Sequence, residues 1–246
     1  MRQATFRFYA ELNDFLPAER RDTDFTHKFL LPASIKDVIE SLGVPHTEVD
    51  LILVNGVPVD FSYLVQGGNH VSVYPIATSR PVTSGVQLRP ELDVFRFVLD
   101  THLGQLATYL RMLGFDVLYQ TRCEDEELAH TSAAEHRILL TRDRGLLKRG
   151  EVIWGYFVRA TAPRAQLLEV LRRFNLFHLA APFQRCLRCN SLLQPVPKES
   201  IQDRLPPRTA QCFDEFRICP SCDRLYWAGS HQEHMQRFIE RILSAH

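Results

Sequence analysis

Four of the six cysteines stand in two C-x-x-C pairs, Cys186 with Cys189 and Cys219 with Cys222. Two such pairs present four sulfurs to a single ion, and four sulfur ligands suit tetrahedral Zn²⁺. The alternative is a pair of structural disulfides, which requires an oxidising compartment, and the first residues do not resemble a secretory signal. The pattern therefore predicts a structural Zn²⁺ with no coordination position left for water or substrate.

Carboxylates also stand at places where they could do chemistry. Asp100 follows one predicted strand, Asp143 follows another, and Asp125 begins a helix between them. In parallel α/β sheets, functional groups gather beyond the carboxyl ends of the strands. Carboxylates that meet there repel one another unless a hard cation such as Mg²⁺ or Mn²⁺ neutralises them. Such an ion activates water and stabilises charge on a phosphoryl group.

Each carboxylate has an ordinary structural interpretation as well. Asp125 is suited to capping a helix, and Asp143 to starting the turn before Gly145. Acidic residues are common at such ends, so each residue taken singly leaves metal binding and local structure open.

The elements that must position these groups alternate along the second part of the chain. Strands are predicted at 94–99, 115–119, 138–141 and 152–158. Helices are predicted after the first, second and fourth strands, and the last helix opens at Pro163. This order predicts a parallel sheet with right-handed crossovers, and hence an α/β domain.

The first part of the chain has a different pattern of short strands and one helix. Strands are predicted at 5–10 and 71–75, with a helix capped by Ser34 between them. The Asn55–Gly56 pair between two apolar runs predicts a hairpin with a type I′ turn. Strand, helix, hairpin and late strand in so short a segment indicate a β-grasp sheet.

These patterns divide the chain into four segments. Residues 77–91 are rich in turn residues and read as a linker. The linker separates a β-grasp domain at 1–76 from the α/β domain at 92–181, and a zinc ribbon with a C-terminal helix follows at 182–246. We expect the first domain to be a tethered module whose removal leaves the rest folded.

Composition restricts the partners. The 246 residues are 45% hydrophobic, which is enough for two or three small cores. The net charge is zero, but arginines concentrate after the linker. This fits both a nucleic-acid partner and ordinary solvated helices. No apolar run is long enough to span a membrane, so we expect a soluble, cytoplasmic protein without a membrane partner.

Part of the chain resembles a known nuclease family. The resemblance is carried by residues 97–100, 103–116, 125–128 and 139–143. These segments look like the Mut-seven-C RNase family, which belongs to the PIN-like nucleases and carries a four-cysteine ribbon. The similarity extends from about residue 94 to the end of the chain.

The resemblance implies metal-dependent cleavage of RNA. We expect single-stranded RNA as the substrate because its backbone is accessible. Asp100, Asp125 and Asp143 match the acidic positions that would be catalytic and hold Mg²⁺ or Mn²⁺. The implied substrate-binding residues are the neighbouring arginines Arg111, Arg142 and Arg144.

The first domain resembles ubiquitin-like sulfur carriers at residues 8–16, 43–49 and 55–56. Those carriers end in a free Gly-Gly, whereas Gly67 and Gly68 are internal here and are interpreted as a turn. Members of the RNase family often carry a ubiquitin-like domain in front, which accounts for this segment and implies a protein partner for it.

Two functions from different classes remain open at this point. The first is a metal-dependent ribonuclease. The second is a non-catalytic RNA-binding adaptor that uses the ribbon and the arginine-rich surface. A metal-dependent cleavage assay separates them.

Overall fold

The computed structural model describes residues 2–75 and 86–245. Most of the predicted linker, residues 77–85, therefore lies outside the described residues. The chain divides into two compact units. One comprises Met1–Val94 with Cys123–Phe157, and the other Phe95–Arg122 with Val158–His246. The predicted α/β domain thus contributes residues to both units.

A five-stranded β-grasp sheet forms most of the first unit. Its strands are β1 (Arg2–Phe8), β2 (Phe25–Phe29), β3 (Val49–Val54), β4 (Val57–Pro58) and β5 (His70–Pro75). They stand in the order β2-β1-β5-β3-β4, and only β1 and β5 pair in parallel. Helix α1 (Ile35–Ser41) buries Ile35, Val38 and Ile39 in the core of this sheet.

Local sequence signals explain the turns of the β-grasp domain. The Oγ of Ser34 accepts a hydrogen bond from the backbone N–H of Asp37 at 3.1 Å, which confirms the predicted cap. Asn55 and Gly56 have φ of 51° and 82°, as a type I′ turn requires, so the predicted hairpin is confirmed. Strand β2 was not predicted, because only its last residue, Phe29, is buried.

The α/β elements follow the predicted order except for a short unpredicted helix, Arg144–Leu147, after the third strand. They are β6 (Arg96–Leu99), α2 (Gly104–Met112), β7 (Asp116–Tyr119), α3 (Asp125–Ala134), β8 (Ile138–Thr141), α4 (Arg144–Leu147), β9 (Gly155–Phe157) and α5 (Pro163–Arg173). In the second unit β6 pairs in parallel with β7, and in the first unit β8 pairs in parallel with β9. The parallel α/β class is confirmed. Strand β8 is buried at every position, as is typical of parallel strands covered on both faces.

The cysteine-rich segment forms a small antiparallel sheet in the second unit. Along the chain it contains β10 (Gln194–Val196), α6 (Pro207–Cys212), β11 (Phe216–Ile218), β12 (Leu225–Trp227) and α7 (Ser230–Leu243). The strands stand in the order β10-β11-β12, around a core of Ile201, Leu205 and Phe216. Among the helices of the described residues, none has the length and apolar character needed to cross a membrane.

Candidate functional site

The four paired cysteines meet at one point of the second unit. One sulfur from each of Cys186, Cys189, Cys219 and Cys222 lies within 4.8 Å of the others. The closest cross-pairs are Cys186 with Cys222 at 3.5 Å and Cys189 with Cys219 at 3.2 Å. Zn–S bonds of about 2.3 Å put the sulfurs of a tetrahedral site roughly 3.8 Å apart, so the cluster fits zinc. Within the described residues, these four cysteines are not joined by disulfides, so the disulfide alternative is not adopted.

Each C-x-x-C pair forms a tight backbone turn. The carbonyl of Cys186 accepts from the N–H of Asn190, and the carbonyl of Cys219 accepts from the N–H of Asp223, both at 2.9 Å. Asn190 and Asp223 have φ of 71° and 58°, a left-handed conformation that Asn and Asp tolerate better than most residues. These turns bring both sulfurs of each pair to the same side.

The thiols differ in proton affinity because their hydrogen bonds differ. Burial raises the pKa of Cys186, but hydrogen bonds from the Tyr226 hydroxyl and from backbone N–H groups outweigh burial and lower the pKa to about 6. At Cys222 burial and the neighbouring thiols raise the pKa to about 12, against an opposing backbone hydrogen bond. Four adjacent thiolates repel one another, and a bound Zn²⁺ would supply the charge that stabilises them together.

Buried side chains join the first cysteine turn to the α/β part of the second unit. Asn190 is 7% exposed, and its Oδ1 accepts from the N–H of Val117 at 2.9 Å. Its Nδ2 donates to Oδ1 of Asp116 at 2.8 Å. Arg185 donates to the carbonyl of Gly114 at 3.1 Å. The zinc ribbon therefore rests on β7 through specific polar contacts.

Arg111, which the resemblance assigns to substrate binding, lies within this junction. Its side chain is 4% exposed, and Nε and Nη2 donate to the carbonyl of Val117 at 3.0 and 2.8 Å. Nη1 donates to the carbonyls of Leu187 and Arg188 at 3.2 and 2.8 Å. Burial lowers the pKa of Arg111, against the charge of the nearby thiolates. These contacts favour a structural role for Arg111 over a contact with phosphate.

Asp100 stands directly after β6 in the second unit and is 8% exposed. Its Oδ1 accepts from the hydroxyl of Thr101 at 3.1 Å. The hydroxyl of Tyr119, the last residue of β7, donates to the carbonyl of Thr101 at 3.0 Å. The turn that carries Asp100 is thereby fixed to the end of β7.

Asp125 and Asp143 belong to the first unit. Oδ1 of Asp143 accepts from the N–H groups of Gly145 and Leu146 at 2.6 and 3.3 Å, so Asp143 caps α4. Asp125 is exposed at the first position of α3, where Glu124 occupies the N-cap. The expected helix cap at Asp125 is therefore not seen, while Asp143, expected to start the turn before Gly145, is the N-cap of α4. The meeting of these two carboxylates with Asp100 stays a prediction.

The two remaining predicted arginines flank Asp143. Arg142 is half-buried after β8. Arg144 contacts the β-grasp domain, because its Nη1 donates to the carbonyl of Phe15 at 3.3 Å and its guanidinium lies 5.0 Å from the Phe15 ring. Substrate binding by either arginine stays a prediction.

Sequence reasoning missed Asn190 and Tyr226 as supports of the cysteine cluster. Asn190 directly follows a C-x-x-C pair and has a positive φ. Asparagine tolerates this conformation, so its place in the sequence could have predicted the turn. Tyr226 has no such signal, because its distance from Cys186 is set by the pairing of distant strands.

Comparison with protein families agrees with this architecture. A ubiquitin-like β-grasp domain is followed by an α/β region and a four-cysteine ribbon. A family model described as the Mut7-C RNAse domain matches residues 95–239, and one described as Mut7-C ubiquitin matches residues 1–80. The chain therefore belongs to the Mut7-C RNase family, which supports a ribonuclease-type enzyme with RNA as substrate. No curated protein and no solved structure matches the chain.

Proposed function

We propose that this protein is a PIN-like, metal-dependent ribonuclease in which Asp100, Asp125 and Asp143 hold Mg²⁺ or Mn²⁺. The match of residues 95–239 to the RNase domain carries the proposal. The position of two of these residues supports it, since Asp100 and Asp143 each follow a parallel strand, where α/β folds place their sites.

The cap of α4 gives Asp143 a defined orientation. Both capping bonds use Oδ1, so the cap itself does not occupy the second carboxylate oxygen. That oxygen is the one we assign to the cation. The bound ion would lower the pKa of a water molecule and stabilise charge on the scissile phosphate.

Substrate contacts in this proposal come from Arg142 and Arg144, whose guanidinium groups suit phosphate oxygens. Arg111 is left out because it is only 4% exposed and its guanidinium holds backbone carbonyls, whereas Arg144 is exposed. Single-stranded RNA is the favoured substrate, because its backbone is accessible without opening a duplex.

The cysteine cluster has a separate role in the proposal. Four sulfurs complete a tetrahedral zinc site, so the ion would stabilise the ribbon and take no part in hydrolysis. A cytoplasmic location belongs to the same proposal, because thiols stay reduced there.

The experiment is a cleavage assay on the purified protein with a labelled single-stranded RNA. We expect cleavage with Mn²⁺ or Mg²⁺ that a brief EDTA treatment stops and added Mn²⁺ restores, with the zinc content constant throughout. RNA binding without cleavage under every metal condition would instead favour the non-catalytic adaptor.

A further inference from the structure

A short turn of the ubiquitin-like domain is buried although it is polar. His46–Glu48 forms a 3-10 turn before β3. Thr47 and Glu48 are 0% exposed, and His46 is 6% exposed. Burying a carboxylate or an imidazole is costly unless specific partners satisfy it. Backbone groups in residues 144–157 of the same unit supply partners for His46 and Glu48.

Glu48 satisfies a backbone group of β9. Its Oε1 accepts a hydrogen bond from the N–H of Phe157 at 2.6 Å. Thr47 lies close to the same strand, since a Cβ added to Gly155 would stand 3.3 Å from the Thr47 Cβ. The turn therefore covers β9, whose exposed backbone would otherwise be open to unwanted pairing.

His46 reaches the loop that leads into β9. Its Nδ1 is 2.6 Å from Oε1 of Glu40, and its Nε2 is 2.8 Å from the carbonyl of Val152. Nζ of Lys148 donates to the carbonyl of Glu40 at 2.7 Å. Glu40 thus contacts both the imidazole and the lysine, which ties the loop to α1.

Helix α4 is held at both of its ends by the ubiquitin-like domain. Lys148 is its C-cap residue, and Arg144 is its first residue. The Arg144 guanidinium donates to the carbonyls of Asp14 and Phe15, both at 3.3 Å. The residue that caps this helix is Asp143.

The last residues of the predicted linker are anchored as well. Nη1 of Arg89 donates to the carbonyl of Thr47 at 2.7 Å, and Nε1 of Trp154 donates to the carbonyl of Pro90 at 3.2 Å. The expectation of a tethered, independent first domain stays a prediction, and the contacts of its buried His46 and Glu48 with residues 144–157 argue against it.

We infer that residues 40–48 of the ubiquitin-like domain form a docking surface for residues 144–157 and thereby position Asp143. Glu48 and Lys148 are positioning residues that act through β9 and α4. The inference depends on the proposed function only for the role of Asp143 as a metal ligand. It assigns the first domain a partner within its own chain.

The test compares three variants of the full-length protein. Lys148→Met keeps the side-chain stem but removes the donor to Glu40. Glu48→Ala removes the acceptor for the Phe157 N–H, and Glu48→Gln restores an acceptor of similar shape. The matched control is Arg149→Met, the neighbouring residue, whose partner is Glu151. Two quantities are measured, amide hydrogen exchange at residues 144–147 and Mn²⁺ affinity by calorimetry.

We expect exchange at residues 144–147 to rise about tenfold, and Mn²⁺ affinity to fall about tenfold, in Lys148→Met and Glu48→Ala. Glu48→Gln should recover most of the exchange protection and most of the Mn²⁺ affinity. Arg149→Met should match the wild type in both measurements. If Glu48→Ala does not fold, Lys148→Met decides the question.

Unchanged exchange in a folded Lys148→Met protein would overturn the docking role. Faster exchange with unchanged Mn²⁺ affinity would overturn the positioning of Asp143. A wild type that binds no Mn²⁺ would contradict the proposed metal site and this positioning role, while the exchange data still decide the docking.

Discussion

The side chain of Asn190, next to the cysteine cluster, accepts a hydrogen bond from the backbone N–H of Val117 at 2.9 Å. Arg111 holds the carbonyl of the same Val117 and two carbonyls of the first cysteine turn. The N–H of this β7 residue is thus satisfied by the ribbon, and its carbonyl is held by an arginine of α2 that also holds the ribbon. The zinc ribbon is therefore a structural support of the α/β part of its unit, and not an appendage.

The first prediction concerns the loss of zinc. Cys219→Ser should release the ion and unfold the ribbon, because metal binding supplies folding free energy to such sites. The loss should also reach β7, since Asn190 would no longer be held in place. Zinc analysis and hydrogen exchange at residues 116–119 measure the two effects. Cys212→Ser, at an exposed cysteine outside the cluster, is the matched control. If β7 keeps its wild-type protection from hydrogen exchange in the zinc-free Cys219→Ser protein, the coupling between the ribbon and β7 is refuted.

The second prediction separates the two interpretations of Arg111. Arg111→Lys should lower the free energy of unfolding by about 2–4 kcal/mol. One ammonium group cannot replace a planar guanidinium that donates hydrogen bonds to three carbonyls. Chemical denaturation gives this value, with Arg188→Lys as the exposed control. RNA affinity and its salt dependence should stay as in the wild type. A weaker affinity at unchanged stability would support the substrate contact instead.

The third prediction is a pH dependence in the β-grasp domain. Burial, together with the charge of Arg20, lowers the pKa of His27 below its usual value of 6.5. The unfolded chain therefore takes up a proton more readily than the folded one, so this contribution to stability is present above pH 6.5 and is lost as the pH falls. His27→Gln should flatten the fall of the urea midpoint on the acid side of pH 6.5. Identical pH profiles for wild type and His27→Gln would count against this assignment.

Local signals predicted the elements well and the tertiary contacts poorly. The bounds of α5 and β8 follow from apolar periodicity, from Pro163 at the helix start and from the short strand length. Glu48 and Arg111 look like surface charges in the sequence, and their burial depends on partners far along the chain. Charged residues are seldom fully buried, so no local pattern distinguishes these two.

The candidate site was predictable only in part for the same reason. The cysteine cluster follows from spacing, because two C-x-x-C pairs need little more than proximity to form a site. Carboxylates follow no comparable spacing rule, so the sequence fits Asp143 equally well as the start of a turn and as a metal ligand. The structure shows the cap, and the metal role needs an experiment.

The most direct test of the central claim is the single-turnover cleavage rate of single-stranded RNA by Asp143→Asn with saturating Mn²⁺. Asparagine is as good an N-cap as aspartate, so α4 and the fold should persist while the formal charge is lost. The account predicts a rate lower by about a hundredfold or more at an unchanged unfolding midpoint. A folded Asp143→Asn protein that cleaves RNA at the wild-type rate would contradict it.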